Sequence, residues 1–600
     1  RRAPPRRGAP PVAGQGDEER VCAPGVLMAK RSRSKSIVRS RKRRAALHVH
    51  VSAAEERAAR VAASLEGTAG DGSWAWPDED AWRPKAQFDV YYRLQQIVPR
   101  HDWKQFSDSL HLPLPVTFRY TADADAAFRS AGEEYLQRWE SNGWGTRRLG
   151  AVDGWQLHMD KHELRAGVAG SEQAEVREWL VRGTDRGLLV RQEVASMLPA
   201  CLLNVQPGER VLDMCAAPGS KTTQLIERLG PQLPGTCGGG VVVANDADTT
   251  RCHTLIHRTA RLGLRTAALV VTQHRAQCMP SWPAGGPSAG FDKIVCDVPC
   301  TGDGTSRKHP EVFHRWEVAN GLRQHGLQLR IALRGVALLR VGGTMCYSTC
   351  SLNPIENEAV VAEVLQRCGG AVEIVPGADS VACELAQAAA PGMPSWRVLD
   401  FGLRPHESAT ALQTAAGLSP GEAALYLPSM WPPHDPAIAA QLGLCVRLLP
   451  HASETGGFFA AVLRKVRPLT RTASDAPVER SCARERGCAR ERRRGHTPVS
   501  ALTADELGAG VEVRRQLCCR SERAAAVVLL NSDAAVCVSG RSRFHVVSAG
   551  ATLAKRRRPK ARPAGVARGR GAFRLTAAGE QVLRGKPEAA ELGVSAGVAR

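Results

Sequence analysis

"VLDMCAAPGSKTTQLIE", Val211 to Glu227, reads as a strand, a tight Ala-Ala-Pro-Gly turn and the first turns of a helix. Small residues at such a turn let the backbone approach a ligand, and free N–H groups at the helix start offer donors. A phosphate loop would need G-x-x-x-x-G-K-[ST], but Ser220 separates Gly219 from Lys221 and the first glycine is missing. The dinucleotide pattern G-x-G-x-x-G is absent as well. The following strand ends in an acid, Asp246 of "VVVAND", placed to accept hydrogen bonds from both hydroxyls of a ribose. A nucleoside without a phosphate chain suits this combination, and S-adenosylmethionine is the common one.

Outward from this stretch, Leu188 to Val466 alternates strand and helix. "ERVLDM", "GGGVVVAND", "TAALVV", "FDKIVCDV" and "GGTMCYST" have strand character. "SKTTQLIERL", "TTRCHTLIHRTARLG", a segment from about Ala319 to Leu339 and "IENEAVVAEVLQ" are predicted helices. "GLCVRLLP" and "GGFFAAVL" form a predicted closing antiparallel hairpin. The class is therefore α/β, with a doubly wound, mostly parallel sheet whose ligands bind at the carboxyl ends of strands. Asp213, Asp246, Asp297 and Cys350 all fall at those ends.

The flanks differ in texture. Residues 1–85 read as a disordered basic arm and linker, with a dense basic run from Lys30 to Arg44. We read residues 1–27, which precede Met28, as untranslated leader or excess sequence. Residues 86–187 read as a smaller N-terminal α+β region that binds RNA: "FDVYYRLQQIV" has helical spacing and "LPLPVTFRY" reads as turn plus strand. Residues 467–600 are an Arg/Ala/Gly-rich basic tail in which "FRLTAAGEQVL" suggests a strand and turn from a small appended RNA-binding domain.

With 81 Lys+Arg against 59 Asp+Glu, the formal net charge of +22 favours a polyanionic partner. The 18 cysteines are scattered, several inside apolar runs, which argues against a disulfide scaffold and for a reducing compartment. No metal is expected: "CARERGCARER" is a duplication without a CxxC partner set. No apolar run approaches the about 18 residues of a membrane span, so no membrane association is expected. The expected state is a monomer. The basic run points to the nucleus or nucleolus, with a cytoplasmic fraction.

"DMCAAPGSKT", "CDVPCTGDGT", "RKHPEV" and "GGTMCYSTCSLNPIENEAVV" strongly resemble the Nop/Sun family of RNA cytosine-5 methyltransferases. "YYRLQQIVP", "DWKQFSDSLHLPLPVTFR", "LLVRQEVASMLP" and "CVRLLPHASETGGFFAAVL" narrow the resemblance to the eukaryotic branch that methylates cytosines in tRNA. It covers residues 86–466 and implies a Rossmann-like methyltransferase domain over 188–466. It also implies S-adenosylmethionine held by Cys215, Ala216, Ala217, Pro218, Gly219, Ser220, Lys221, Asp246 and Asp297. Cys350 would be the nucleophile and Cys300 the second cysteine, needed to release product. One position departs from the family: after the third strand, Arg275 stands where a carboxylate faces the adenine, which implies a weaker hold on the cofactor.

The chemistry explains the residue types. Carbon 5 of cytosine is a poor nucleophile until a thiolate adds to carbon 6, and sulfur is both a good nucleophile and a competent leaving group. An unperturbed thiol, with pKa about 8.5, is mostly protonated at neutral pH, so the site must favour the thiolate. Asp297, protonated in a buried site, would donate to the ring-nitrogen edge, and Lys221 would point toward the base carbonyl. Two other readings stay open: a DNA-type enzyme in which Cys300 of the Pro-Cys pair is the nucleophile, and a non-catalytic RNA-binding scaffold.

Overall fold

In the computed structural model, residues 84–230, 240–282, 289–376, 389–415 and 418–469 are described, with six short strands between 497 and 575. All but the last two residues of the expected basic arm, and most of the expected tail, lie outside the described residues. Helix α1, Pro84–Gln95, is followed by an antiparallel sheet in the order β2-β3-β1-β4: β1 Pro115–Tyr120, β2 Thr146–Leu149, β3 Gly154–Asp160 and β4 Leu189–Arg191. Helices α2, Ala126–Ser141, and α3, Glu172–Arg186, cover one face, burying Phe118, Leu136, Trp139, Leu157 and Trp179 together. Their start signals are local: Asp125 accepts from the Phe128 N–H and Ser171 from the Ala174 N–H, each an N-cap bond.

Helix α4, Val194–Leu203, leads into the large sheet. Its parallel part comprises β5 Arg210–Asp213, β6 Val241–Asp246, β7 Leu269–Gln273, β8 Phe291–Asp297 and β9 Leu339–Thr349. Between them run α5, Ser220–Arg228, α6, Thr249–Thr259, and α7, Val318–Leu338. After β9 come α8, Glu358–Cys368, and β10, Val372–Val375. The short strands β11 Ala390–Pro391, β12 Val398–Leu399 and β13 Pro405–His406 precede β14, Val446–Leu448, and β15, Phe458–Lys465. β14 and β15 pair antiparallel, as the expected hairpin, and β15 lies antiparallel on β9.

The spatial order β14-β15-β9-β8-β5-β6-β7 puts β5 at the centre of the five parallel strands, with later strands added on one side and then the other. The chain reverses direction of growth between β5 and β8, and a crevice opens at the carboxyl ends of strands at such a switch point. Every residue of β6 is buried, as a strand covered on both faces by helices requires, and Val supplies that apolar, β-branched surface. β9 starts at Leu339, three residues before the expected Gly342, and carries a bulge against β8.

Two arrangements were not legible from the local pattern. The aromatic face of α1 packs into the body of the large domain: Phe88 lies edge-on to Phe313 at 5.2 Å and Tyr91 to Trp316 at 5.1 Å. The segment expected within the N-terminal RNA-binding region thus buttresses the strand-end loops. In the expected tail, β16 Thr497–Pro498, β17 Leu517–Cys519, β18 Ala526–Leu529, β20 Ala551–Arg556 and β21 Phe573–Leu575 form a five-stranded antiparallel sheet. Between them β19, Val546–Ala549, adds to the edge of the large sheet beside β7. Among the described residues no helix is long and apolar enough to cross a membrane.

Candidate active site

The loop between β5 and α5 is fixed by backbone bonds to both neighbouring strands: Met214 N–H donates to the Val295 carbonyl at 2.9 Å and Ala216 N–H to that of Asn245 at 2.8 Å. Asn245, which the sequence did not single out, donates from Nδ2 to the carbonyls of Met214 and His274 and so ties the loop to the end of β7. Gly219 has φ +107°, a conformation L side chains rarely adopt, and a Cβ there would lie 2.7 Å from Leu255 Cδ1, which would have to move aside.

Asp213 is buried at the end of β5. Its Oδ2 accepts from Thr222 Oγ1 at 2.8 Å, while Oδ1 has no hydrogen-bond partner. Burial, opposed by the Thr222 bond and the Lys221 charge, pushes its carboxyl up to about 7. Asp246 is 3% exposed and already engaged: Oδ2 accepts from the Ala217 N–H at 3.3 Å and faces Arg251 at 3.4 Å, and Oδ1 accepts from the Asp248 N–H at 3.0 Å. It therefore holds the Cys215–Lys221 loop as well as presenting a carboxylate at the strand end. Cys215 stays a thiol, pushed up by burial and then by the nearby charges of Asp213, Asp297 and Asp246. Arg275 lies exposed just beyond β7, its carbonyl accepting from the Cys278 N–H at 2.8 Å.

These residues fit S-adenosylmethionine. The orphaned carboxylate oxygen of Asp213 suits the ammonium of the amino-acid moiety, and Asp246 suits ribose hydroxyls. Replacing Asp246 with Ala removes those acceptors and frees the loop, so cofactor binding in calorimetry should weaken by about 1.5–3 kcal/mol. An unchanged titration refutes the assignment.

Asp213 makes binding pH-dependent. Its folded value lies above the usual 3.8, so its contribution to stability is present below about 3.8 and is lost as pH rises through about 7. A ligand ammonium favours the ionised form and must displace that proton. Affinity should rise as pH is raised through about 7, then fall where an α-amino group of pKa about 7.7–8.0 loses its own proton. Proton release at pH 6.5, measured in buffers of different ionisation heat, checks this; no release places the ammonium elsewhere.

The second half of the site stands on β8 and β9, which run parallel with Asp297 opposite Ser348. Cys300 follows β8 and Cys350 follows β9, and their Sγ atoms lie 3.3 Å apart, both thiols free. The hydrogen bond to Cys350, then burial, push the Cys300 thiol well up. Lys221 Nζ lies 2.7 Å from Asp297 Oδ2, 3.2 Å from Ser196 Oγ and 5.6 Å over the Phe458 ring. Burial lowers its pKa, but the Asp297 charge and hydrogen bond, Asp213 and Cys350 outweigh that and the net shift is upward. Lys221 is therefore a fixed ammonium beside Cys350.

Asp297 also accepts from Ser348 Oγ at 2.7 Å. Its two oxygens thus face Lys221 and Ser348. A carboxyl facing an ammonium and a hydroxyl is an acceptor, and the donor of the pair is Lys221.

Two buried acids behind the cysteines were missed. Asp303 accepts from Tyr92 Oη, from Trp316 Nε1 at 3.2 Å and from the Leu352 N–H at 2.8 Å. Glu356, fully buried, is pushed up to about 7 by burial and by Asp303's charge. They stand in "CTGDGT" and "NPIENE", the segments that directly follow the two cysteines' strand ends, and that position was the available signal.

The sheet, the loop at its switch point and the paired thiols define a Rossmann-like methyltransferase domain of the S-adenosylmethionine-dependent class. Residues 200–394 match the model of the 16S rRNA methyltransferase RsmB/F family. The tRNA (cytosine(34)-C(5))-methyltransferase of Drosophila melanogaster is 36% identical over 444 residues, covering 67% of this chain and 55% of that protein. The multisite-specific tRNA:(cytosine-C(5))-methyltransferase of Saccharomyces cerevisiae is 36% identical over 411 residues, 65% of this chain and 56% of that one. The tRNA (cytosine(49)-C(5))-methyltransferase of Pyrococcus abyssi is 34% identical over 189 residues, 32% of this chain and 56% of that one. The chain thus spans little more than half the length of these relatives.

Proposed function

We propose that the protein transfers a methyl group from S-adenosylmethionine to carbon 5 of cytosine in RNA, with tRNA as the substrate class. The observation that carries this reading is the pair of free thiols 3.3 Å apart at adjoining strand ends, beside the Lys221–Asp297 ion pair. Cys350, as the thiolate, adds to carbon 6. The new carbon–sulfur bond displaces the carbon 5–carbon 6 π pair toward carbon 4, and charge develops on the ring-nitrogen and carbonyl edge. Lys221, oriented by Asp297 and Ser196, donates to that edge. S-adenosylmethionine, when bound, supplies the electrophilic methyl group for carbon 5. A base then takes the carbon-5 proton, that electron pair restores the double bond, and the sulfur leaves with the pair of the carbon–sulfur bond. Cys300 donates its S–H to the departing sulfur and stabilises it as a thiolate.

The DNA-type assignment, with Cys300 as nucleophile, is disfavoured because the stretch between Asp297 and Cys350 is short and largely taken up by α7 and β9, which leaves no room there for a target-recognition insert. Methyl transfer from labelled cofactor to bulk tRNA tests the reading: incorporation that depends on Cys350 supports it, and none from folded, cofactor-binding protein leaves the scaffold reading. The basic run Lys30–Arg44 supports nuclear residence, which imaging of tagged protein with and without the run decides.

A further inference from the structure

We propose that Glu356 is the positioning residue that sets the spacing of Cys300 and Cys350, by clamping the residue that follows each of them. The ladder between β8 and β9 ends one residue past Asp297, where the Val298 N–H donates to the Ser348 carbonyl at 3.1 Å. Beyond that point no strand pairing holds the two cysteine loops in register. The loops are joined further on by the Gly304 N–H, which donates to the Cys350 carbonyl at 3.0 Å, and by Asp303, which accepts from the Leu352 N–H at 2.8 Å, while one carboxylate binds the residue next to each cysteine. Its Oε1 accepts from the Thr301 N–H at 2.9 Å and its Oε2 from Thr301 Oγ1 at 2.6 Å. The same Oε2 accepts from Ser351 Oγ at 2.6 Å. Thr301 follows Cys300 and Ser351 follows Cys350, and their hydroxyls lie 3.1 Å apart. Gln328 of α7 completes the set, donating from Nε2 to Oε1 at 2.9 Å and to the Pro299 carbonyl, just before Cys300, at 3.0 Å.

In its ionised form, which predominates above about pH 7, the Glu356 carboxylate accepts from all four donors without offering a hydrogen of its own. An amide of the same shape turns an NH2 toward one side of the cluster and leaves donors there unsatisfied, so one loop is released while the other stays held. The role of Glu356 in catalysis rests on the function proposed above, but the geometry it imposes on the thiols does not.

The test separates the two. Diamide takes two electrons and two protons from a close pair of thiols, forming a disulfide and leaving the corresponding hydrazine, and peptide mass spectrometry follows the Cys300–Cys350 product. In the full chain, Glu356→Gln should slow this disulfide at least about tenfold, the worth of one hydrogen bond to a charged group. On tRNA the same variant should lose kcat about tenfold with KM nearly unchanged, and should accumulate protein covalently bound to RNA, because Cys350 still adds while Cys300 no longer assists release. Thr301→Val and Ser351→Ala each cut one side of the clamp and carry the same comparison if Glu356→Gln does not fold. A wild-type rate of disulfide formation in folded Glu356→Gln, or in both of the smaller variants, overturns the proposal. Slowed disulfide formation in a protein whose wild type methylates no RNA upholds the clamp and sinks the function instead.

Discussion

Cys350→Ala is expected to give neither methylated RNA nor a covalent RNA–protein species, whereas Cys300→Ala is expected to accumulate that species. Without the Cys350 sulfur no carbon 6 adduct forms, and the unactivated ring leaves carbon 5 unreactive, so the loss of turnover should be complete. Cys350 lies immediately after β9, beside the Lys221 ammonium, with the Asn353-Pro354 turn bending the chain away behind it. Cys300 is 3.3 Å from that sulfur, and that contact and burial push its thiol up, so it stands ready to donate to a departing thiolate. Its removal leaves addition intact and slows elimination. A denaturing gel with labelled tRNA distinguishes the roles. Adduct from Cys300→Ala and none from the double variant supports this order. Adduct from Cys350→Ala with none from Cys300→Ala reverses it and favours the DNA-type mechanism.

Arg447→Ala is expected to cost about 3–5 kcal/mol of folding stability, because it leaves a buried carboxylate without its counter-charge. Arg447 of β14 and Glu358 at the start of α8 are 2% and 0% exposed. They meet in a two-pronged pair, Nε to Oε1 at 2.6 Å and Nη2 to Oε2 at 2.5 Å, the geometry in which a guanidinium binds a carboxylate most strongly. Arg447 Nη1 also donates to the Leu352 carbonyl at 3.0 Å, two residues beyond Cys350. Denaturant unfolding of Arg447→Ala should show the loss, and the double variant Arg447→Met, Glu358→Leu should recover most of it by removing both charges together. A single variant within about 0.5 kcal/mol of the parent, the range of ordinary surface changes, would mean that the Met393 N–H, 3.0 Å from Oε1, suffices for Glu358.

The same contrast, between features written locally and partners supplied from far along the chain, runs through the whole molecule. Apolar runs such as "VVVAND" announce buried parallel strands because helices cover both of their faces, and acids or cysteines that close those runs must then lie along one edge of the sheet. That reasoning placed Asp213, Asp246, Asp297 and Cys350 at strand ends and made the glycine turn a ligand loop. It could not say which side chains meet there. Lys221 reaches Asp297 across 76 residues, a pairing invisible in either motif. Glu356 joins two loops 50 residues apart, and α1 fits its aromatic face against Trp316 from more than 200 residues away. The sequence by itself determined the order of strands and helices and the edge of the sheet that carries the chemistry, since hydrophobic period and turn residues act over a few positions. Only the tertiary structure decided the protonation partners and the 3.3 Å between the sulfurs, because burial and the charge facing a group are properties of what packs against it.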